Sequence, residues 1–174
     1  TDSWERDYSL PLSEMTDLEN YHFGQMDKRM DAADAIPGLD TIWRVGHDKG
    51  VNPFTGEWMA GFHEPPNDNL GFTEVVAGIL RPYNEGWGRA VPAEKMKLVE
   101  LWNEPSLESW TGTAPQFAEL QIELRATLDR DFDSDGDGRA DDLLMLTPVA
   151  PGFFGDFTVD FLDTLQLNYD PLDP

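Results

Sequence analysis

Apolar residues recur along this chain with two periods in turn, and their order predicts the elements. Over residues 25–34, Met26, Met30 and Ala33 fall at helical spacing, and Pro37-Gly38 then stops the helix. A β-rich run at 41–45 ends at Gly46. Residues 48–70 form a long loop rich in Gly, Pro and Asn, with Trp58, Phe62 and His63 set in it; ordered loops of that length often carry function. Residues 72–80 read as a helix, weakened by Gly78 and with Pro82 just past its end. A second strand is expected at 97–102. Thr113 and Gln116 make a capping box with Pro115 in the first turn, and Phe117, Leu120, Leu124 and Leu128 mark the buried stripe of the helix that follows. A third strand at 143–146 and a helix at 157–167, with Phe157, Phe161, Leu162 and Leu165 inward, complete the pattern.

Strand and helix alternate, which implies parallel strands joined by crossover helices. The fold expected is α/β. Residues 1–18, with Pro11 and no clean period, read as an extended arm, and residues 19–174 as one domain. Three strands cannot close a (β/α)8 barrel, which takes eight strands and about 250 residues. An open sheet or a slice of a barrel is therefore expected.

Composition narrows the function. The chain has 174 residues, with 34 acidic and 12 basic side chains, a formal net charge of −22. That balance opposes binding to nucleic acid or to anionic membrane surfaces, because phosphate contacts need clustered Lys and Arg. No apolar run approaches the roughly 18–20 residues of a membrane span. The absence of Cys removes thiolate catalysis, thiolate metal ligands and disulfides. The chain begins at Thr1 without Met or an apolar leader, so a processed product or a fragment is expected.

Candidate chemistry centres on Leu101-Trp102-Asn103-Glu104-Pro105. An Asn-Glu pair stands where a parallel strand ends, the place from which catalytic side chains project in α/β barrels. Trp102 and Trp110 flank it. Beside them a carboxyl would be partly desolvated and pushed toward the general-acid range, and their flat rings suit the C–H face of a sugar. Each residue also has a structural reading: Glu104 as a plain strand-end carboxylate, Trp102 as core or cleft wall, and His47 as a packing residue.

The stretch resembles the acid/base signature of clan A glycoside hydrolases. Asn20-Tyr21-His22-Phe23, Ile42-Trp43-Arg44-Val45-Gly46-His47, Arg81-Pro82-Tyr83-Asn84-Glu85-Gly86-Trp87 and Trp110-Thr111-Gly112-Thr113 narrow the resemblance to family 39, the β-xylosidase and α-iduronidase group. The resemblance implies a (β/α)8 barrel and retaining hydrolysis. It implies Glu104 as general acid/base, Asn103 as the residue bonding the sugar 2-hydroxyl, and His47, Trp102 and Trp110 at the substrate. Retaining chemistry needs a second carboxylate about 5–5.5 Å away as nucleophile. The family draws it from a strand well downstream, and no residue of this chain can be matched to it. The chain alone is therefore expected to be inactive, as a segment of a larger hydrolase. The alternative is a non-catalytic subunit, a truncated hydrolase-like domain docked on a larger assembly through its open sheet edge.

A second signal lies at 131–142, where six Asp fall within twelve positions. Calcium takes six to eight hard oxygens, and alternate Asp with Gly at the tight turn supplies them. Two registers fit. Counting from Asp131 gives Asp131, Asp133, Asp135, Gly136 at the turn and Asp142 at the twelfth position, the EF-hand spacing with Asp for Glu. Counting from Asp133 gives Asp133, Asp135, Asp137, Gly138 and Asp141, resembling dockerins and thrombospondin type 3 repeats. The bland reading is a solvated acidic turn. Ca2+ of modest affinity would favour an extracellular or periplasmic setting. His63-Glu64 opens like a zinc-protease helix, but Pro65-Pro66 and the missing second His end that comparison.

Overall fold

The computed structural model describes residues 23–46, 64–86, 96–107, 109–141, 143–146 and 155–168. The arm expected at 1–18 and most of the loop expected at 48–70, with Trp58, Phe62 and His63, lie outside them.

Among the described residues, four helices and three strands alternate: α1 (Gly24–Asp34), β1 (Ile42–Val45), α2 (Asn69–Asn84), β2 (Leu98–Leu101), α3 (Ala114–Phe132), β3 (Leu144–Leu146) and α4 (Asp156–Asn168). The strands form one parallel sheet in the order β1-β2-β3. The α/β architecture and the three parallel strands follow the hydrophobic pattern, and the sheet of the described residues is open.

Register sorts the side chains by face. Trp43, Val99 and Met145 align across the strands, and Val45 aligns with Leu101. Val45, Val99 and Leu101 enter the core with Phe72, Val76 and Leu80 of α2 and Phe117, Leu124 and Leu128 of α3. Side chains alternate along a strand, so Ile42, Leu98 and Leu144 make a row on the other face, and Arg44, Glu100 and Leu146 the next. Helix α3 packs on α2 and on α4.

Helix α2 is longer at both ends than its periodicity suggests, and Pro82 lies inside it rather than past its end. Pro82 offers no N–H to the carbonyl of Gly78. Burial of the last turn offsets that loss: Tyr83 and Asn84 are both buried. The Asn84 carboxamide donates to the Met96 carbonyl at 2.9 Å and accepts from the Met96 N–H at 3.1 Å, which fixes the approach to β2. Nearly all of α2 is buried, so its stability comes from packing, and Gly78 in its middle is tolerated for the same reason.

Two smaller departures have separate causes. Strand β2 ends at Leu101, because Trp102 turns into left-handed backbone with φ 64°. On α4 only Phe161 is fully buried, and Leu162, expected inward, is exposed. Phe161 meets Phe117 of α3, and Leu162, about 100° further round, faces away from that contact.

Candidate active site

Glu104 stands three residues beyond the C-terminal end of β2, the middle strand. The chain gets there through two sharp bends. Trp102 (φ 64°) and Glu104 (φ 45°) both adopt left-handed backbone, which side-chain-bearing residues rarely enter and which costs of order 1–3 kcal/mol each. Surrounding contacts hold them there. The Trp102 N–H donates to the Val45 carbonyl at 2.6 Å. Its ring N–H donates to the Ser109 carbonyl at 2.5 Å. The Ser109 hydroxyl faces the carbonyls of Asn103 and Glu104 and donates its one hydrogen to that pair. Glu104 is half-buried, and among the described residues no hydrogen bond or ion pair engages its carboxylate.

The tryptophans take their structural reading. Trp102 is fully buried and Trp110 nearly so. Their rings meet edge to face at 5.0 Å, and Trp110 repeats the geometry on Phe117 at 5.1 Å. The Trp110 ring N–H donates to the Thr113 carbonyl at 3.1 Å. Both rings thus have their donors satisfied and their faces packed. Buried and packed in this way, the two rings form the floor that carries the strand end. His47 lies outside the described residues.

Sequence reasoning passed over Arg44 and Glu100. They are Cα partners across β1 and β2, and the Arg44 Nε donates to Glu100 Oε2 at 2.8 Å. A second guanidinium nitrogen donates to Asn103 Oδ1 at 2.7 Å. Glu100 is 4% exposed. The signal was available, since opposite charges at matching positions of neighbouring parallel strands pair once the register is known.

At the other end of the strands lies the acidic loop. Helices α2 and α3 run back along the sheet, so α3 delivers the chain to the N-terminal ends of the strands, and the Leu144 N–H there donates to the Lys97 carbonyl at 2.8 Å. Asp131 is taken up elsewhere: both Arg81 and Arg130 bind it, and Glu74 meets the same two arginines. The hydrogen bond that Arg130 donates to Asp131, then its interactions with Glu74, hold the guanidinium pKa above its ordinary value, against the lowering effect of burial. Asp131, the first residue of the register that begins there, is thus engaged by two guanidinium groups.

The other register begins at Asp133. Its carboxylate accepts from the N–H groups of Gly136 (2.7 Å), Asp137 (3.1 Å) and Gly138 (2.9 Å), so the loop winds around it. Carboxylate oxygens of Asp133, Asp135 and Asp141 lie within 4.8 Å of one another. Asp137 stands outside that trio and accepts from the Arg139 N–H at 2.9 Å. Asp142 lies outside the described residues.

The fold is shared with a solved protein. A glucosidase from Croceicoccus marinus superposes with a TM-score of 0.71 over 96% of this chain at 23% identity. The likeness establishes the fold: an α/β segment of the TIM-barrel-like kind, its sheet not closed. The chain spans 31% of that glucosidase's length. No family model and no curated protein matches it.

Proposed function

We propose that the chain is part of a retaining O-glycosyl hydrolase of the family 39 kind, with Glu104 as general acid/base and Asn103 bonding the sugar 2-hydroxyl. The observation that carries this reading is the placement of Asn103-Glu104 beyond the C-terminal end of the middle parallel strand, in a fold shared with a glucosidase. In such a reaction a carboxylic acid protonates the glycosidic oxygen as the bond breaks, then as carboxylate deprotonates the water that releases the sugar. The second carboxylate comes from outside these 174 residues. Among the acids within them, Glu85 follows α2 at the opposite end of the sheet from Glu104. Glu64 and Asp156 are exposed, and no spacing pairs either with Glu104.

The test uses the full-length protein on 4-nitrophenyl β-glucoside, 4-nitrophenyl β-xyloside and the corresponding unactivated disaccharides. Glu104→Gln should lower kcat on the disaccharides by two orders of magnitude or more, since general acid catalysis contributes about 10²–10⁴-fold. Equal turnover by that variant would remove Glu104 from the mechanism. A second reading, a docked non-catalytic domain, draws on the exposed Ile42 and Leu144 of the uncovered sheet face. It predicts no turnover by the unmodified protein.

For the loop at 131–142 the proposal is calcium, held by Asp133, Asp135 and Asp141, and the spacing of the sequence supports it. An extracellular or periplasmic location goes with that proposal.

A further inference from the structure

Asn103 is fixed from two sides. Its main chain sits between two left-handed residues, and Ser109 holds its carbonyl. Its side-chain oxygen accepts from Arg44 at 2.7 Å, while the same guanidinium is anchored at 2.8 Å by the buried carboxylate of Glu100. Arginine has five N–H donors and no acceptor, so a guanidinium facing a carboxamide selects the oxygen end. A rotation of the amide by half a turn would set NH2 against the cation. The fork geometry matters as well, because one planar group reaches Glu100 and Asn103 at once, which a lysine ammonium does not reproduce.

We propose that Arg44, anchored by Glu100, is a positioning residue for the Asn103 carboxamide, locking Oδ1 inward so that Nδ2 donates to the hydroxyl beside the anomeric carbon. The inference rests on the glycoside hydrolase reading and deepens it. Asn103 touches the sugar; Arg44 and Glu100 act through it. Hydrogen bonds to the 2-hydroxyl strengthen in the transition state, so a loosened amide shows in kcat more than in KM.

The experiment measures kcat and KM of the full-length protein on 4-nitrophenyl β-glucoside, 4-nitrophenyl β-xyloside and their 2-deoxy counterparts. The variants are Arg44→Met, Arg44→Lys, Glu100→Gln, Asn103→Ala and the Arg44→Met/Asn103→Ala double. The expected result is a fall of roughly 10²-fold in kcat/KM for Arg44→Met on the hydroxylated substrate, the scale of a small misplacement of a reacting group. The fall on the 2-deoxy substrate should be less than about threefold. Asn103→Ala should show the same selectivity, and the double variant should be no worse than the singles, as residues acting as one unit are not additive. Arg44→Lys and Glu100→Gln keep the local volume and should show the same selectivity at smaller size, which covers a failure of Arg44→Met to fold. Equal losses on both substrates, or additive losses in the double variant, overturn the inference while the glycosidase reading stands. No turnover of either glycoside by the unmodified protein overturns both.

Discussion

Gly46 shows how narrowly the strand end is built. It lies just past β1 with φ 106°, a conformation open to glycine, and a Cβ there would overlap the six-membered ring of Trp102. Trp102 is fully buried and cannot yield, and its own backbone is already left-handed. Gly46→Ala should therefore destabilise the protein by roughly 2–4 kcal/mol, the range of overpacking and backbone strain combined. Urea denaturation of the full-length protein checks it. An unchanged midpoint would mean that the indole has somewhere else to go. The same contact explains why Trp102 could not be assigned from sequence. Its neighbours in the chain are the catalytic candidates, but its neighbours in space are Gly46, Trp110 and Phe72, the nearest of them 8 residues away.

Among the elements, α3 was the most legible, because its signals are local. Thr113 accepts from the Gln116 N–H at 3.3 Å and Gln116 reaches back to the Thr113 N–H at 2.8 Å, the reciprocal capping box that the spacing predicts. Thr113→Ala should cost about 1 kcal/mol and lower the thermal midpoint by a few degrees. Thermal unfolding followed by circular dichroism reads it, and no shift would show that the cap is dispensable. The helix at 24–34, the strand at 42–45 and the stripe of Phe117, Leu120, Leu124 and Leu128 were equally readable, each from its own period. What escaped were choices made by neighbours. Burial kept α2 going past Pro82, one phenylalanine decided the face of α4, and the register of β1 on β2 brought Arg44 to Asn103. Asp131 belongs with these. Its spacing suits calcium, and its pairing with Arg81 depends on the packing of α2 against α3, which no spacing shows.

On the scale of the molecule the two candidate sites lie at opposite ends of the sheet, Glu104 beyond the C-terminal end of β2 and the acidic loop ahead of β3. In (β/α) folds the first end carries chemistry and the second carries stability. Calcium should therefore raise the melting temperature and leave kcat unchanged, since a ion bound only by the folded state stabilises it by mass action. Differential scanning calorimetry in excess chelator and in millimolar calcium checks this. Asp133→Ala should abolish the calcium shift. Asp131→Asn should keep the shift while lowering the melting temperature in both conditions, because it weakens the arginine contacts. A melting curve indifferent to calcium would remove the metal.

The order of the strands has a consequence for how the chain is made. Each strand lies beside the one synthesised just before it, with β2 entering next to β1 and β3 next to β2. Among the described residues, no strand waits for a distant partner, and no later strand must be threaded between two earlier ones. A chain emerging from the ribosome can thus lay down β1, cover it with α2, pair β2, and add β3 last, each step extending an edge that already exists. The sheet grows in the direction of translation, with β1 holding one edge and the newest strand the other.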